Sequence, residues 1–93
     1  MKKLRLAEYL TKKRLQAGLT QTDVSKVLGY ASSQFISNWE RGLSAPPLDV
    51  IKKVAKLYGV SPDDLFEVFL EDSICQMEIN LVQQFYGTSK KRG

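Results

Sequence analysis

An all-α fold built from short helices is what this sequence predicts, on three observations. Apolar residues recur at steps of three and four along most of the chain. The first four such runs are each closed by a glycine, Gly18, Gly29, Gly42 and Gly59. The one stretch that alternates as a strand would, Cys75 to Leu81, has no second strand elsewhere to pair with, so helix is the favoured reading there.

The elements follow in order. Leu6, Tyr9, Leu10 and Ala17 mark the inner face of a first helix, which Gly18 closes. Thr20 opens the second, with Asp23 three residues on as its capping-box partner, and Val24, Val27 and Leu28 give its apolar face. Ser32 or Ser33 caps a third helix that carries Phe35, Ile36 and Trp39 and ends near Arg41. Pro47 suits the first turn of a fourth, whose apolar stripe is Leu48, Ile51, Ala55 and Tyr58. Ser61, Pro62, Asp63 and Asp64 are a strong restart: a cap, a proline and two acids at the positive end of a helix dipole. Beyond it Leu70, Ile74, Met77, Leu81 and Phe85 form one helical face. The expected division is a domain over 1–66, a helical extension over 67–86 and a disordered basic tail over 87–93.

Charge is uneven along the chain. Up to Gly59 eleven lysines and arginines face four acids, a net +7, whereas from Val60 onward six acids outnumber three basic residues, a net −3. A polyanion is therefore the expected partner of the first part only. The sequence has no histidine and a single cysteine, Cys75, too few for a zinc site of the usual ligand sets and compatible with a reducing compartment. Cys75 reads as a small apolar filler. No nucleophile with its base, phosphate-cradling glycine loop or paired-carboxylate arrangement is present, so neither enzymatic activity nor a cofactor is expected. Glu8, Lys12 and Lys13 interrupt the apolar stretch a signal peptide would need, and no run approaches the ~20 residues of a membrane span. The expectation is a cytoplasmic protein with no membrane partner.

Two short helices joined tightly, the second exposing polar residues, are the helix-turn-helix arrangement. The residues Arg14, Gly18-Leu19-Thr20-Gln21, Val24, Leu28-Gly29, Ile36-Ser37 and Trp39-Glu40-Arg41-Gly42 resemble the phage-repressor DNA-binding family of the Cro and lambda-repressor type, over roughly Leu4 to Phe66. Two departures stand out: the turn after Gly29 is one residue longer than the commonest form, and Ser25 replaces the usual alanine. The resemblance implies a five-helix lambda-repressor-like domain, here with an additional C-terminal helical segment, that binds double-stranded DNA and regulates transcription.

With about 100° per residue and Ile36 and Trp39 turned inward, Gln34, Ser37, Asn38 and Arg41 point away from the core. Glutamine and asparagine amides pair bidentately with adenine edges, and serine serves donor or acceptor sites, so Ser33, Gln34, Ser37 and Asn38 are the candidate base-reading residues. By the resemblance, Gln21 clamps phosphate from the first turn of the second helix, and Arg41 meets phosphate just beyond the readers. Lys12, Lys13 and Lys26 can add longer-range attraction. Arg14 continues the Leu6–Leu10 stripe and so faces partly inward, where an unpaired charge is costly. The resemblance supplies Glu40 as its partner in a structural ion pair. Phe35, on the flank of the third helix, reads either as core or as a contact to a thymine methyl.

The family's solution to limited discrimination is a homodimer that places two reading helices about 34 Å apart on a palindromic operator. The apolar stripe beyond Phe66 is expected to dimerise, with packing back onto its own domain as the other reading. Two alternative functions remain: the antitoxin half of a toxin–antitoxin pair, with the stripe gripping a toxin-like partner, and a protein-interaction module that has lost DNA binding.

Overall fold

A computed structural model describes residues 4–87. Five helices run in order, α1 (Leu6–Gln16), α2 (Gln21–Leu28), α3 (Gln34–Glu40), α4 (Leu48–Tyr58) and α5 (Pro62–Tyr86), and the described residues contain no strand. The segment in which strand and helix competed, Ile74 to Val82, lies inside α5. The expected tail lies outside the described residues from position 88 onward.

Local signals set most helix ends. Thr20 and Asp23 form a full capping box: the threonine hydroxyl accepts from the Asp23 N–H at 3.0 Å, and the Asp23 carboxylate accepts from the Thr20 N–H at 2.9 Å. The Thr20 backbone N–H first, and the Thr20 side chain after it, favour the ionised carboxylate and hold the Asp23 pKa below its ordinary value. Gly29 ends α2 at φ +82°, a left-handed conformation that a side chain would strain. The Ser61 hydroxyl accepts from the Asp64 N–H to open α5, with Pro62 in its first turn.

The core gathers Leu6, Leu10, Val24, Ile36, Trp39, Ile51, Val54, Ala55, Tyr58, Leu65 and Val68, so every helix contributes to it. Three expected core positions face solvent instead. Ala17 lies past the end of α1, Val27 is 65% exposed and Leu48 is 61% exposed. In α4 the buried face is Ile51, Val54, Ala55 and Tyr58; Leu48 keeps their helical step but stays exposed at the first position of the helix. The Ser25 side chain is buried, and its hydroxyl donates to the Thr22 carbonyl at 2.8 Å, so the serine in place of the usual alanine does not bury an unpaired hydroxyl.

The expected boundary between 66 and 67 falls inside an unbroken helix. Val68 belongs to the core, Cys75 is buried, and Asp72 binds the start of α1. The Asp72 carboxylate accepts the backbone N–H groups of Arg5 and Leu6 at 3.0 and 2.7 Å, a cap for α1 supplied from 66 residues away, while Arg5 pairs with Glu71 at 2.9 Å. The first half of α5 is thus part of the body. From Leu70 onward the helix also carries the exposed residues Leu70, Ile74, Met77, Leu81, Val82, Phe85 and Tyr86. Among the described residues nothing buries this stripe, although Met77 and Leu81 line a groove shared with Leu4, Trp39 and Leu43.

Candidate nucleic-acid interface

The α2–α3 unit is positioned from behind by one buried ion pair. Arg14 donates from Nε to Glu40 Oε2 at 2.7 Å and from Nη2 to Glu40 Oε1 at 3.0 Å, and its Nη1 reaches the Leu19 carbonyl at 2.8 Å. Both side chains are nearly sealed from solvent, at 11% and 6% exposure. The hydrogen bonds to Glu40 raise the Arg14 pKa further. The pair ties α1 to the end of α3, and the Leu19 contact fixes the turn that leads into α2.

Gln21 joins this pair. Its amide nitrogen donates to Glu40 Oε1 at 3.0 Å, from a half-buried position in the first turn of α2. One amide hydrogen is used there, and the second remains for an outside acceptor. Gln21 therefore links the buried carboxylate to the protein surface.

The outer face of α3 holds a second network. Gln34 Nε2 and Arg41 Nη2 both donate to Asn38 Oδ1, each at 2.9 Å. Gln34 and Arg41 are exposed and Asn38 is half-buried. These bonds use the Asn38 amide oxygen and one Gln34 N–H, and leave the Asn38 N–H groups and the second Gln34 N–H for other acceptors. Ser37 is half-buried on the same helix. Ser33 occupies the N-cap position of α3 without a side-chain capping bond; the capping hydroxyl is that of Ser32, which accepts from the Gln34 N–H at 3.2 Å. Gly42, at φ +74°, ends the helix and lets the Leu43 N–H return to the Asn38 carbonyl at 2.9 Å.

The face contains no carboxylate, since Glu40 points inward to Arg14. It can donate hydrogen bonds to acceptors spaced along a helix about ten ångströms long, and with Arg41 it carries positive charge.

Phe35 departs from the core reading. It is 51% exposed, and its ring lies tilted against Tyr30 at 4.9 Å, which in turn meets Trp39 edge-on at 5.8 Å. Nothing in the local sequence singles out Tyr30, because its place beside Phe35 depends on how the turn after Gly29 folds back on α3. No helix of the described residues is long and apolar enough to cross a membrane.

In comparisons with known proteins, residues 10–65 match a family model described as helix-turn-helix. Neither the curated proteins nor the solved structures gave a match.

Proposed function

Since the chain belongs to the helix-turn-helix family of the Cro and lambda-repressor type, a family of DNA-binding transcriptional regulators, we propose that it is a cytoplasmic repressor that binds a palindromic operator as a homodimer. The observation that carries this reading is the exposed Gln34–Asn38–Arg41 network on α3, held against the body by the Arg14–Glu40–Gln21 cluster. In the mechanism α3 lies in the major groove. Gln34 and Asn38, with Ser33 and Ser37 beside them, exchange their internal hydrogen bonds for base edges. Gln21 and Arg41 bind phosphate on either side and set the depth of insertion. Repression follows from occupancy: a protein seated on promoter DNA excludes other proteins from it.

The exposed stripe on α5 supports self-association. It carries large apolar side chains at helical steps, the spacing at which a second helix packs. The same stripe would serve an antitoxin that grips a toxin-like protein, and co-purification of a small partner from its native cell separates that reading from a homodimer.

The decisive experiment selects bound sequences from random DNA and then compares variants. Gln34→Ala or Asn38→Ala should lose about 1–3 kcal/mol on the selected site and little on random DNA, with relaxed preference at one position per half-site. Arg41→Ala should weaken all duplexes and reduce the salt slope by about one unit for each phosphate it no longer neutralises. Gln21→Ala should also weaken all duplexes but leave that slope nearly unchanged. Unaltered sequence preference after removal of both Gln34 and Asn38 would overturn α3 as the reader.

A further inference from the structure

We propose that Phe35 is a specificity residue that packs against the C5 methyl group of a thymine in the major groove, with Tyr30 holding its ring in place. The inference rests on the DNA-reading assignment of α3 and names a contact which that assignment does not require.

Three observations converge on this ring. Phe35 stands half exposed beside the amide row of α3, although a large aromatic left in water gains nothing for the fold. It is also braced. The Tyr30 ring lies 4.9 Å away at an interplanar angle of 33°, and Tyr30 leans edge-on against Trp39, which is only 3% exposed. Each contact is within the range of favourable aromatic pairs. The ladder runs from the core to the surface and limits the freedom Phe35 would otherwise lose on binding. Finally, Phe35 and Asn38 are three residues apart and share one flank of the helix.

The major groove offers this ring one apolar feature, the thymine methyl. An asparagine amide that reads adenine places the paired thymine, with its methyl, at the same groove edge. The flank shared by Phe35 and Asn38 therefore lets the two side chains read both halves of one A·T pair, or of two adjacent pairs. The amide reads hydrogen-bonding groups and the ring reads shape.

The test uses the full chain and the operator obtained by selection, with each thymine replaced in turn by deoxyuridine. This substitution removes the methyl and keeps the base pair. Wild-type protein should lose about four-fold in affinity per half-site at one thymine, the worth of one buried methyl-sized group. That thymine should be paired with, or one step from, the adenine whose preference Asn38→Ala relaxes. Phe35→Ala should bind the thymine and deoxyuridine sites equally, and Phe35→Leu should keep part of the difference. Thermal unfolding checks that both variants fold; the first arm needs no variant. Wild-type indifference to every replacement, or discrimination undiminished in Phe35→Ala, would overturn the contact while leaving α3 as reader. If no sequence is enriched in the selection, the DNA-reading assignment and the thymine contact fall together.

Discussion

At the scale of single residues, the Arg14–Glu40 pair shows what a buried charge demands. Both side chains are desolvated, and the interaction is tolerated because the guanidinium makes three hydrogen bonds and the carboxylate receives three, one of them from Gln21. Removing one partner strands the other. Glu40→Gln and Arg14→Met should each destabilise the fold by about 3–5 kcal/mol in chemical denaturation, and the double variant by less than the sum. Strict additivity would mean that the two side chains do not couple. Tyr58, buried near this pair, predicts a pH effect. Burial first, and then the charge of Glu40, push its hydroxyl pKa up to about 12, against about 10 in an unfolded chain. The folded state therefore keeps the proton longer. The resulting stability is fully present below pH ~10 and is lost as pH rises towards ~12, by about 2–3 kcal/mol. Tyr58→Phe should show a flatter stability profile across that alkaline window, and parallel profiles for the two proteins would refute the assignment.

At the scale of helices, two kinds of end can be distinguished. The start of α2 is capped by residues within its own first turn, so its formation is a local matter. The start of α1 has no side-chain cap of its own and relies on the Asp72 carboxylate from α5. Helix α1 is therefore stabilised at its first turn only once α5 has docked. Asp72→Ala should cost about 1 kcal/mol, the usual worth of a cap, and should raise amide exchange mainly at the beginning of α1. Exchange raised equally across all helices would argue that Asp72 matters to the core and not to this end.

At the scale of the whole molecule, α5 is the unusual element. Its 25 residues span about 38 Å, longer than the two shorter dimensions of the molecule, 27 and 21 Å. Among the described residues its apolar stripe is left exposed from Leu70 to Tyr86. A test of the dimer must respect the continuity of α5. Truncation after Phe66 would also remove Val68, Asp72 and Cys75, and would confuse instability with weakened association. Ile74→Lys with Leu81→Lys leaves those residues in place. On the homodimer reading, sedimentation should show a dimer for the parent chain and a monomer for this variant, with its helical content unchanged. Identical oligomeric states for the two proteins would exclude the stripe as the dimer interface.

What the sequence by itself determined is the set of features written within four or five residues. These are the helix order, the capping box of α2, the glycine ends, the serine-proline start of α5 and the polar outer row of α3. Such features depend on backbone geometry and side chains within one turn, which neighbouring residues decide whatever the rest of the chain does. The approach of Arg14 to Glu40 was legible through family resemblance, and its inward direction through the stripe of α1. Tertiary structure alone decided the rest. Val27 and Leu48 satisfy a helical period yet face water, because a period specifies a face and not whether another helix arrives to cover it. The Asp72 cap joins residues 66 apart, and nothing in the local pattern of either segment encodes that meeting. For Phe35 the sequence leaves core and surface both open; the fold decides for the surface, with Tyr30 against its ring. The outward stripe of α5 has the same origin: side chains set its periodicity, but the fold decides whether another helix arrives to cover it.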